Sequence, residues 1–220
     1  VVCVILFIIS ESVIIFYMMR TIKQKIKLTH CFLYSFVGFF FSCITPSATG
    51  GQPAQIYFMK RDKLPISIST LVLMIVTITY KLVLVVIGLL VLLIRPKGII
   101  EYLDPVIGIC YLGLALNVFC VTAMLILVFH PTLAKNILLF LIRILGRFGI
   151  VKRLEYRLEK VENSMKSYAD VACYFREHKM VIVNVFAITF VQRMLLFFVT
   201  ALVYYSFGFH GVGFLPITLL

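Results

Sequence analysis

Four runs of the sequence, Val1–Met19, Ile66–Ile94, Val106–Phe129 and Met180–Phe207, approach or exceed the ~20 apolar residues with which an α-helix crosses a bilayer. Each carries few charges. With 62% hydrophobic and 14% charged residues, the chain is excluded from the water-soluble globular class. The expected fold is all-α, a polytopic transmembrane helix bundle. The first run lacks the basic start and small-residue cleavage site of a signal peptide, so it reads as a span. The chain opens on Val-Val-Cys without an initiator Met and closes on the apolar GFLPITLL. Those ends predict a fragment that lacks a complete C-terminal part.

Several chemistries find no footing. The six cysteines (Cys3, Cys31, Cys43, Cys110, Cys120, Cys173) are scattered, and the four histidines pair at no ligand spacing, so no metal is expected. No catalytic triad order, phosphate loop or dinucleotide fingerprint occurs, which leaves no catalytic constellation and no cofactor. The formal net charge of +12 comes from basic residues flanking the apolar runs. That placement points to membrane orientation and anionic lipid as the partner, not to nucleic acid.

One segment interrupts the pattern. After the apolar CFLYSFVGFFFSCI comes TPSATGGQPAQIYFMKRDK, whose prolines and adjacent glycines are turn chemistry. Either Cys31–Thr45 crosses the bilayer, or it enters, turns, and returns along Ala54–Met59. Basic residues concentrate on the cytoplasmic side of a membrane protein. A returning hairpin places seventeen Lys and Arg on one face against two on the other, whereas a full crossing gives thirteen against six. The first arm would also span only ~22 Å of a ~30 Å core. Residues 31–59 are therefore expected to form a re-entrant hairpin. Segments 20–30, 60–65 and 130–179 then lie in the cytoplasm and 95–105 outside.

A hairpin tip at membrane depth must be satisfied by protein or a wet cavity. Gln52-Pro53 reads as the start of the return helix, with Pro at its first position. The N–H groups that follow would offer an anion the positive end of the helix dipole. An equal reading is that Gly50-Gly51 simply allow close helix packing.

Three charges lie within the spans: Glu11, Lys81 and Arg193. Each costs ~2.5–3.5 kcal/mol in lipid and should face the bundle interior. Glu11 could form an ion pair with one of the bases. Otherwise, two bases and one acid leave a net positive interior suited to a phosphate-bearing headgroup.

Residues 130–179 form a long polar region. Ala134–Phe148 places Lys135, Asn136, Arg143 and Arg147 on one side of a helical wheel, which suits a helix lying in the membrane interface. Leu154, Leu158, Val161, Met165, Tyr168, Ala172 and Phe175 recur at alternating steps of four and three. They predict a second helix with one apolar seam, packed on the protein's own cytoplasmic face or on a partner.

The segment TPSATGGQP followed by QIYFMKRDKLP resembles the signature of the membrane region of lysylphosphatidylglycerol synthases, which is shared with standalone flippase-like proteins and archaeal glycan-assembly relatives. The resemblance extends over nearly the whole chain, 1–220, as a single flippase-like transmembrane domain. Together with the reading of the residues above, the expected headgroup site is Thr45, Pro46, Ser47, Thr49, Gly50, Gly51, Gln52 and Pro53, with Lys81 and Arg193, and Glu11 is a candidate ion-pair partner. Tyr80-Lys81 departs from the acidic-basic pair usual in the family, and the family's second Pro/Gly-rich motif lies further along than Leu220. The implied function is binding and translocation of an anionic or aminoacylated phospholipid in the plasma membrane, with relevance to cationic antimicrobial peptides. One alternative is the membrane portion of a phosphatidylglycerol lysyltransferase whose catalytic domain lies elsewhere. Another is a membrane scaffold recruiting a partner through residues 154–175.

Overall fold

A computed structural model describes residues 2–94, 107–147 and 154–208. Among the described residues there are eight α-helices and no strand. They are α1 (Val2–Thr21), α2 (Leu28–Ile44), α3 (Gly51–Arg61), α4 (Ile66–Ile94), α5 (Ile107–Phe129), α6 (Pro131–Arg147), α7 (Leu154–Glu177) and α8 (Lys179–Ser206). α1, α4, α5 and α8 are long and apolar enough to cross a membrane, and they coincide with the four expected runs. The loop 95–105, expected outside, falls beyond the described residues.

Polar pairs fix the register of the apolar helices. The buried Ser12 hydroxyl donates to Ser35 Oγ at 2.9 Å, and Phe7 meets Phe39 edge to face, so α1 and α2 run antiparallel. α8 lies antiparallel to α1 as well. Gln192 Nε2 donates to the Phe7 carbonyl at 3.1 Å, and Asn184 Nδ2 donates to the Tyr17 hydroxyl at 3.0 Å. In a bilayer such bonds contribute about 0.6–2 kcal/mol each. The packing around them is apolar: Ile14, Ile15, Met18, Leu71, Val72 and Val185 are buried in one cluster.

α2 and α3 form an antiparallel helical hairpin joined by one 3₁₀ turn, Pro46–Ala48. At its open end Asp62 accepts hydrogen bonds from the Tyr34 hydroxyl and from His30 Nδ1, the latter at 2.7 Å. At its tip Gly51 packs against Gly38 and Ser42. α3 has 11 residues, so the hairpin is about 16 Å deep at helical rise, roughly half the ~30 Å hydrocarbon core. Gln52 at the tip bonds Thr77 of α4, which lies the same distance beyond that helix's start. The hairpin therefore ends at mid-height of its neighbours.

One detail corrects the sequence reading. α3 begins at Gly51, and Pro53 occupies its third position, not the first. Proline is tolerated there because the first-turn N–H groups have no intrahelical partner in any case.

The apolar seam of α7 is covered by the protein itself from Met165 onward. Tyr168, Ala172 and Phe175 are buried in the common cluster, and the Tyr168 hydroxyl donates to the Leu127 carbonyl of α5 at 3.1 Å. The side chains of Leu154, Leu158 and Val161 lie outside the description. α6 pairs with α7 through Lys135 and Glu162. It leaves Leu133, Ile137, Phe140 and Ile144 exposed along one face. The interfacial setting expected for α6 is compatible with that face.

Asp62 gives the hairpin a pH-dependent component. Burial works against its charged form, but the hydrogen bonds from Tyr34 and His30 outweigh it and hold the carboxyl below its usual range. A folded-state value below the unfolded ~3.9 means the contribution is present above that pH and is lost as pH falls further. Asp62→Asn should lower thermal stability at pH 7. The gap from wild type should narrow as pH falls below ~3.9, which melting curves at pH 7 and at one such lower pH would check. An equal gap at both would show that the carboxylate has no such role.

Candidate functional site

The hairpin tip is built from side-chain bonds that close on themselves. Thr45 Oγ1 donates to the Phe41 carbonyl at 2.6 Å and accepts from the Gly50 N–H at 2.9 Å. Thr49 Oγ1 donates to the Pro46 carbonyl at 3.0 Å. These bonds hold Ser47 and Ala48 in the left-handed region, at φ 53° and 55°. That conformation costs an L-residue about 1–2 kcal/mol. Gly50 and Gly51 themselves have ordinary helical dihedrals. A Cβ on Gly51 would lie 2.8 Å from the Gly38 carbonyl oxygen, so what this glycine supplies is close approach.

Beneath the tip lies a cavity of about 220 Å³, enclosed by α1, α2, α3, α4 and α8. Its polar lining includes Glu11, Gln52, Gln55, Tyr80, Gln192 and Arg193, with the hydroxyl residues Ser42, Thr77 and Thr189. Glu11 is the tenth residue of α1 and Arg193 the fifteenth of α8, so both sit near the middle of spanning helices.

The Arg193 guanidinium is held between two aromatic rings, 3.9 Å from the Tyr80 ring centre and 5.1 Å from that of Phe7. Such cation–π contacts are worth up to ~2 kcal/mol when desolvated. Its Nε is buried and has no hydrogen-bond partner in the protein, and neither has Thr189 Oγ1 on the same helix. Native structures pair almost all such atoms, so a ligand or solvent partner is implied. Glu11 accepts a long hydrogen bond, 3.4 Å, from Gln55 Nε2. Among the described residues no ion pair joins Glu11 to Arg193 or Lys81. Gly51 and Gln52, in the first turn of α3 at its positive end, line the same space.

The structure thus brings Gly51, Gln52, Arg193 and Glu11 together and leaves the other expected residues outside. Thr45, Pro46, Ser47, Thr49, Gly50 and Pro53 form the turn but do not line the cavity. Lys81 is also absent from the lining; its ammonium lies 5.8 Å from the Tyr80 ring centre. Tyr80, Gln55 and Thr189 were not foreseen. Their signal was available as polar residues three apart within helical stretches: Gln52 with Gln55, Thr77 with Tyr80, and Thr189 with Gln192.

Four helices long enough to span a bilayer, three of them lining a cavity beside a half-depth hairpin, define a multi-pass helical membrane protein. The chain belongs to the family described as the lysylphosphatidylglycerol synthase TM region, which matches residues 1–220. No curated protein and no solved structure matches it.

Proposed function

We propose that this protein binds the phosphate-bearing headgroup of a membrane lipid in the mid-height cavity and moves it between leaflets. The observation that carries this reading is Arg193: a desolvated base, fixed by two rings, with one N–H left open and no carboxylate in ion-pair contact. In this reading the hairpin re-enters the membrane from the side it left, and its exposed turn, 46–49, meets its own polar groups through the bonds of Thr45 and Thr49, while α1, α4 and α8 line the cavity beside it. Phosphate meets Arg193 and the Gly51 and Gln52 N–H groups. Glu11, on the α1 side of the cavity, suits the ammonium of an aminoacylated headgroup.

A second reading rests on the family's description. It makes this region the membrane portion of a phosphatidylglycerol lysyltransferase, so that the lipid held here is that enzyme's product.

The test uses vesicles reconstituted with the purified chain and a fluorescent phosphatidylglycerol, to which a membrane-impermeant reductant is added. Bleaching should proceed beyond the outer leaflet's share in protein-containing vesicles. Bleaching that stops at that share, with the protein folded and inserted, would reject transport.

A further inference from the structure

A second cavity, of about 340 Å³, opens at the other end of the hairpin. Lys25 and Lys27 reach it from the α1–α2 connection, and Arg61 and Lys63 from the end of α3. The only acid in its lining is Asp62, whose carboxylate already accepts from Tyr34 and His30. Among the described residues, none of the four cations makes an ion pair. Four positive charges around one small space, against the single carboxylate of Asp62, leave a net positive field that attracts an anion.

The local backbone also places one of these cations, Lys63, where an easier residue exists. α3 closes with Lys63 N–H on the Lys60 carbonyl and Leu64 N–H on the Met59 carbonyl, and α1 closes in the same way around Lys23. In both, lysine takes the left-handed position, at φ 65° and 59°, where glycine is usual. These lysines complement the negative ends of their helices. Capping alone, however, does not need four bases around one cavity.

We infer that this cavity is a binding site for a phosphate-bearing anion, separate from the mid-height cavity. It occupies the mouth of the hairpin, level with the start of α4, where lipid headgroups of that leaflet would lie. A phosphodiester headgroup and free phosphate present the same chemistry to it.

The experiment uses the full chain in detergent, with lipid retention counted by native mass spectrometry. Phosphatidylglycerol is the probe and phosphatidylcholine the control, and the titration is repeated in inorganic phosphate. With each basic residue near an anionic lipid contributing about fivefold, Lys27→Gln with Lys63→Gln should weaken phosphatidylglycerol retention about 25-fold. Lys166→Gln, at an exposed position of α7, should leave it unchanged. Competition by inorganic phosphate assigns the site to the free ion as well, and its absence assigns it to the lipid headgroup. Either result upholds the site. Unchanged retention in the double lysine variant overturns it, as does a melting temperature lowered with no change in retention, which leaves capping as the lysines' only role. Arg193→Gln separates the two cavities. A loss confined to Arg193→Gln supports the mid-height cavity and rejects this one, and a loss confined to the lysine pair does the reverse.

Discussion

Gly51→Val should force the arms of the hairpin apart and destabilise the protein by roughly 3 kcal/mol, the upper range for overpacking. A Cβ at this position would meet Ser42 Oγ and the Gly38 carbonyl oxygen at once. Ser42 can change rotamer, but the carbonyl belongs to helix backbone and cannot move without α2 moving. Shifting α2 from α3 also strains the Ser12–Ser35 contact with α1. Gly113→Ala provides the control, because a Cβ there meets nothing within 4 Å. Unfolding in a denaturing detergent should show a large loss for the first variant and little or no loss for the second. A Gly51→Val protein within ~0.5 kcal/mol of wild type would mean that the two arms are not packed against each other at this point.

Arg193→Met should separate function from stability by moving them in opposite directions. Met fills similar apolar space and keeps contact with Phe7 and Tyr80, but it removes the charge. Affinity for phosphatidylglycerol should fall about 10- to 100-fold, since hydrogen bonds to charged groups are worth ~1.5–3 kcal/mol. Stability should hold or rise, because a base at mid-height costs ~2.5–3.5 kcal/mol to bury. A purely structural arginine predicts the reverse: lower stability and unchanged binding. Arg193→Lys should recover only part of the affinity, because an ammonium cannot reproduce the planar stacking on Tyr80. Lipid titration and detergent unfolding on the same preparations distinguish these outcomes.

The spans were legible because their signal is local. Twenty apolar residues in a row have few alternatives, and the four helices begin and end within one or two residues of the expected runs. The hairpin was legible through charge bookkeeping, which uses only order along the chain. Its construction was not. The prolines and adjacent glycines marked a turn, and the close packing allowed by Gly51 was one of two equal readings, but the positive φ values fall on Ser47 and Ala48, held by the turn bonds of Thr45 and Thr49. Which intramembrane charge meets the cavity was equally out of reach. Tyr80 and Lys81 are neighbours on α4, and a turn of ~100° per residue sends one toward Arg193 and the other away from it. The open end of the hairpin depends on His30, Tyr34 and Asp62, which are brought together only by the return of the chain.

The hairpin's half-depth bears on how the protein is made. Neither of its arms is long enough to settle across lipid alone, and α8, which supplies Arg193 and Gln192, leaves the ribosome long after Gly51 does. At roughly 5–20 residues per second the delay is about 7–30 s. During that time α1 and α4 can line their sides of the cavity, but the side that α8 supplies stays open. The nascent chain should therefore hold an incomplete membrane pocket until its last described helix inserts. Assembly factors that shelter polar groups in the bilayer would have their clearest target in that interval.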